Sequence, residues 1–167
     1  MGAKRTAKKA TTPGLSPDDL AARIAATGLA PTAYVLPRES IHGPGSYVAI
    51  ARSLEGLARG ALPLEQVTDS IDLAAEQASL ELAIDGVHHV LEAEVRGARV
   101  DDGVLVMLAA LFDLRQAREP VHARPSFFVD STTCKAAKTL VLLCVTRDAA
   151  LAVNAAAGAA FVPLTEL

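Results

Sequence analysis

Residues 78–84 and 87–95 each alternate apolar with polar positions, and they meet at Asp85-Gly86, a strong signal for a two-residue hairpin turn. Placing Ile84 against Val87 sets Leu82 opposite His89, Leu80 opposite Leu91 and Ala78 opposite Ala93. Glu81, Glu92 and Glu94 then project from the other face. The period of two extends back through Val67, Ile71 and Leu73, so the pattern predicts a three-strand antiparallel meander with one apolar and one acidic face.

Elsewhere the spacing is helical. Ser16-Pro17-Asp18-Asp19 reads as an N-cap, a proline at the first helical position and acids in the first turn, predicting a helix over 17–27 that Gly28 stops. A short strand over 32–36, ended by Pro37, follows. Tyr47, Ile50, Leu54 and Leu57 recur at three and four residues after Gly43-Pro44-Gly45-Ser46, which predicts a second helix before Gly60. Asp101 and Asp102 cap a third, whose Val104, Leu105, Met107, Leu108, Leu111, Phe112 and Leu114 leave almost no polar face; such a helix belongs at the centre of the fold. Two further strands, over 126–129 and 139–145, flank a polar loop, and Thr146 caps a last helix that runs to Ala157. The expected fold class is α+β: an antiparallel sheet built on the meander plus two further strands, packed against the central apolar helix, in the order ααβββαββα.

Length changes this picture little: 167 residues suit one domain with an adequate core. Residues 1–14 read as a disordered basic tail and 15–167 as a single α+β domain. Two cysteines, Cys134 and Cys144, are too few for a disulfide framework, which points to a reducing cytoplasm. No window offers about twenty uninterrupted apolar residues, so no membrane span is expected, and the basic start lacks the apolar region of a secretory signal. Charge is uneven. Lys4, Arg5, Lys8 and Lys9 face no acid in residues 1–12, so the net charge of −3 leaves 12 basic against 19 acidic residues, −7, in the remainder. An acidic body repels phosphate backbones and confines any nucleic-acid contact to those four residues. The absence of tryptophan argues against base-stacking or sugar-binding platforms. The Ala-, Arg- and Pro-leaning composition points to a GC-rich bacterial genome.

Four groups are candidates for chemistry. Gly43, Gly45 and Ser46, at a helix start with Arg38 and His42 nearby, suit an anion, yet the run lacks the Gly-Lys-Ser/Thr ending of a phosphate loop. His122, Asp130 and Cys134 supply a base, an orienting acid and a thiol nucleophile, but all three come from one loop region between short elements, which favours an ordinary polar connection. His88 and His89 are adjacent on a strand and point to opposite faces, so they do not chelate one metal, and no metal or cofactor is expected. Glu81, Glu92 and Glu94 have the separation of paired glycosidase carboxylates, but a solvated sheet face or a docking surface for a basic partner protein explains them better.

The order helix, three-strand meander, helix, two strands, helix over residues 46–157 is similar to that of the small dimeric chaperones of bacterial type III secretion. The resemblance implies effector binding without catalysis and a homodimer, and it transfers no individual residue. Taken together, the expected function is a non-catalytic, chaperone-like or toxin-immunity-like protein-interaction module. The alternatives are a small enzyme using His122, Asp130 and Cys134, and a nucleic-acid accessory protein using the basic tail.

Overall fold

A computed structural model describes residues 15–30, 32–134 and 138–167, the side chains of Thr133 and Cys134 excepted. The expectations placed on the tail, including Lys4, Arg5, Lys8 and Lys9, lie outside the described residues. The chain is α+β, and its elements follow the expected order. They are α1 (Pro17–Thr27), β1 (Tyr34–Pro37), α2 (Ser46–Leu57), β2 (Glu65–Asp72), β3 (Gln77–Ile84), β4 (Val87–Glu94), α3 (Asp102–Arg115), β5 (Pro125–Asp130), α4 (Ser131–Cys134), β6 (Thr139–Thr146), α5 (Arg147–Ala157) and β7 (Phe161–Pro163).

The strands divide between two antiparallel sheets, a meander β2-β3-β4 and a four-stranded sheet β1-β6-β5-β7. The division follows from the residue pattern. Leu140, Leu142, Phe127 and Val129 enter one core, whereas Val141, Leu143, Val145 and Phe128 enter a second, so β5 and β6 are apolar on both faces and need cover on both. The meander buries one face only, and appending β5 and β6 to it would leave one of their apolar faces in water.

The larger core joins Tyr47, Ile50 and Leu54 of α2 and Val104, Leu105, Leu108 and Phe112 of α3 to Leu80, Leu82, Ile84 and Leu91 of the meander and to the inner face of the four-stranded sheet. α2 and α3 therefore lie between the two sheets. The Phe112 and Phe127 rings meet at 5.0 Å, which fixes α3 on β5. The smaller core packs Leu20 and Ile24 of α1 and Ala150 and Val153 of α5 on the outer face of the four-stranded sheet. Hence the layers run α1/α5, four-stranded sheet, α2/α3, meander.

Local signals set most boundaries. Ser16 Oγ accepts the Asp19 N–H at 3.1 Å, Asp101 that of Gly103 at 2.8 Å and Thr146 that of Ala149 at 3.3 Å, each satisfying a helix-start donor. Two boundaries differ from the sequence pattern. Pro37 lies inside β1, paired with Thr139, because β1 is an edge strand where a missing N–H is tolerated. Leu73 falls in the turn after β2, half exposed. Among the described residues, no helix is long and apolar enough to cross a membrane.

Candidate functional site

The outer face of the meander is polar because the register is set at its turn. Asp85 and Gly86 both have positive φ, 51° and 77°, the type I′ geometry that matches strand twist. Ile84 pairs with Val87, and the register continues through Leu82 with His89, Leu80 with Leu91 and Ala78 with Ala93, all on the inner face. On the outer face the rows are Asp72, Gln77, Glu94; then Ser70, Ser79, Glu92; then Thr68, Glu81, Val90. Glu81, Glu92 and Glu94 are thus brought together and exposed.

One end of this face opens into a groove of about 960 Å³, whose lining includes Asp72, Glu92, Glu94, Arg96, Arg99 and Asp101. Several of its charges are already engaged. Asp101 accepts the Gly103 and Glu94 N–H groups, at 2.8 and 2.9 Å, and Asp102 pairs with the buried Arg38 at 2.9 Å. Arg96 Nη2 lies 2.8 Å from Glu94 Oε2, but both side chains stand in solvent, where such a pair contributes little. Arg99 is exposed at the same rim. Glu92 has no hydrogen-bond or ion-pair partner among the described side chains, and His88 Nε2 lies 3.6 Å from Glu81 Oε2. His88 and His89 fall on opposite faces, His88 exposed and His89 half-buried.

Arg96 and Arg99 were not legible as site residues in the sequence. Val95-Arg96-Gly97-Ala98-Arg99-Val100 reads as a plain connection, and the only signal available was a cationic pair three residues apart beside an acidic strand. The groove exists because this segment folds back, with the Val100 N–H donating to the Arg38 carbonyl at 2.7 Å.

At the start of α2, Gly43, Gly45 and Ser46 are close together but their anion is internal. The Asp69 carboxylate accepts N–H groups from Gly45 at 2.6 Å, Tyr47 at 2.9 Å and Val48 at 3.2 Å. Ser46 Oγ accepts from the His42 N–H and donates to the Gly43 carbonyl. A helix start lacking its own capping side chain is satisfied by a carboxylate from β2, so these donors do not await a ligand.

Of the suggested nucleophilic set, His122 and Asp130 belong to opposite ends of β5. His122 is exposed in a short 3-10 turn before β5, and Asp130 is fully buried at the far end of that strand, which alone spans roughly 17 Å. Asp130 accepts the Ala160 N–H at 3.1 Å and a bond from Thr132 Oγ1, tying β5 to the turn before β7. The Cys134 side chain lies outside the described residues. Cys144, beside α3 on β6, has its thiol pushed up to about 12 by burial and, secondarily, by the Asp113 charge; it is not a thiolate nucleophile at neutral pH. Burial likewise raises the Asp113 carboxyl against a Ser126 hydrogen bond and the Arg124 charge, and the Tyr47 hydroxyl is raised by burial although it accepts the Asp101 N–H. Among the described residues, no group of three or more His, Cys, Asp or Glu side chains is placed to hold a metal ion.

No protein-family model matches the chain, and no curated protein or solved structure shows significant similarity to it.

Proposed function

We propose that the chain is a non-catalytic protein-interaction module of a bacterial cytoplasm, and that its partner docks through a basic surface on the outer face of the meander. The observation that carries this reading is the convergence of Glu81, Glu92 and Glu94 on one exposed sheet face beside an open groove. Exposed acids steer and select an oppositely charged surface while the apolar side of the same sheet supplies rigidity. The separation of His122 from Asp130 by the length of β5 supports a binding role over the thiol-enzyme alternative. Chaperone-like capture and toxin neutralisation are both jobs of this kind, and the order of elements, similar to that of the type III secretion chaperones, accords with the first.

The test is capture with the tagged full chain and with a Glu81→Ala/Glu92→Ala/Glu94→Ala variant, identifying retained proteins by mass spectrometry. The expected result is a stoichiometric partner, retained by the wild type and lost by a variant whose circular dichroism and melting are unchanged. Equal capture by a folded triple variant removes this face from the reading.

A further inference from the structure

The meander has two edges, and only one is guarded. β2 carries a bulge between Glu65 and Thr68, with Gln66 at φ 50°, a distortion that spoils pairing with another strand. In the other sheet, edge strand β1 contains Pro37, and edge strand β7 is three residues long. β4 is eight residues long with neither proline nor bulge, and among the described residues β3 is its only strand neighbour.

The turn determines which backbone groups face that edge. In a two-residue hairpin the flanking residues, here Ile84 and Val87, exchange hydrogen bonds, and bonding then alternates along the ladder. Val87, His89, Leu91 and Ala93 bond toward β3, whereas His88, Val90, Glu92 and Glu94 direct N–H and C=O outward. Glu94 agrees with this alternation, since its N–H reaches Asp101 Oδ2 at 2.9 Å. That contact closes one end of the edge and leaves His88, Val90 and Glu92 open, roughly 13 Å of strand.

We infer that β4 pairs antiparallel with β4 of a second copy, centred on Val90, joining two meanders into a six-stranded sheet. The complementarity lies in the residue order. Centring on Val90 sets Val90 against its symmetry mate and His88 against Glu92 of the second copy, twice by the two-fold axis. Val90 is 53% exposed, and Glu92 has no other partner among the described side chains, so the pairing covers an apolar side chain and supplies a donor opposite a free carboxylate. Slipping the register by two residues sets Val90 against Glu92 one way and against His88 the other, so the apolar pair is lost. The first of these slips also brings in Glu94, whose N–H Asp101 already holds. Slipping by four opposes Glu92 to Glu92 or His88 to His88. The side chains thus select one register. The outer faces of the two copies become continuous, and their acidic rows lie side by side.

A contact of this size predicts a weak, concentration-dependent dimer. Sedimentation of the full chain, from about 1 to about 500 μM, reads it directly. Val90→Pro deletes one outward N–H without removing a β3 bond, and edge strands tolerate proline; it is expected to be folded and monomeric. Glu92→Lys and His88→Glu are each expected to weaken association about tenfold, and the double variant to restore it, because a donor then again faces a carboxylate across the two-fold axis. A monomer throughout the range, a dimer unaffected by Val90→Pro, or single-variant defects that the double swap does not repair would each overturn the inference. The partner reading is separable: a Val90→Pro monomer that still captures a partner through Glu81, Glu92 and Glu94 leaves it intact.

Discussion

The carboxylate of Asp69 accepts the Tyr47 backbone N–H at 2.9 Å, a bond between the middle of β2 and the first turn of α2. With the bonds from Gly45 and Val48, it replaces the side-chain cap that α2 lacks. Asp69→Ala therefore strands three helix-start donors and is expected to cost about 1–3 kcal/mol. Asp69→Asn, which keeps one acceptor oxygen, is expected to cost less. Urea denaturation checks both, and a loss below about 0.5 kcal/mol for the alanine variant contradicts the capping role.

Leu108 is buried between the sheets, in the same core as Leu82 of the meander and Phe127 of β5. Truncation to alanine leaves a cavity that neither sheet can close without moving the other. The expected cost is about 2–5 kcal/mol in equilibrium unfolding. A cost under about 1 kcal/mol would place α3 at the periphery.

The Cys144 thiol gives a signed pH dependence. Its proton is held to about 12 in the fold against an ordinary value of 9.0. Above about pH 9 the unfolded chain releases this proton and the folded chain retains it, so the thiol's contribution to stability is present below that point and lost as pH rises toward 12. In a Cys134→Ser chain, alkylation of the one remaining thiol at pH 10, followed by mass, is expected to be slow in the native protein and fast on unfolding. Alkylation of the native protein as fast as of the unfolded chain at pH 10 would show that burial does not hold the proton.

The legible parts of this fold are those written within a few residues. Asp85-Gly86 sets the turn and, through it, the register from Ala78 with Ala93 to Ile84 with Val87; Ser16, Asp101 and Thr146 mark helix starts by their own side chains. The acidic face was legible for the same reason, since alternation puts Glu81, Glu92 and Glu94 on one side. The groove beside it was not, because Arg96 and Arg99 reach its rim only through the return of their loop to Arg38.

By itself, then, the sequence determined most of the elements, though not α4 or β7, together with the turn and the sidedness of the meander, all consequences of local sterics and short-range periodicity. Tertiary structure alone decided that β1 lies beside β6, that β5 and β6 form a sheet separate from the meander, and that the helix-start donors suited to an anion are held by Asp69. Each of these joins segments far apart along the chain, and the choice among such pairings rests on which apolar faces remain to be covered once all the elements have formed.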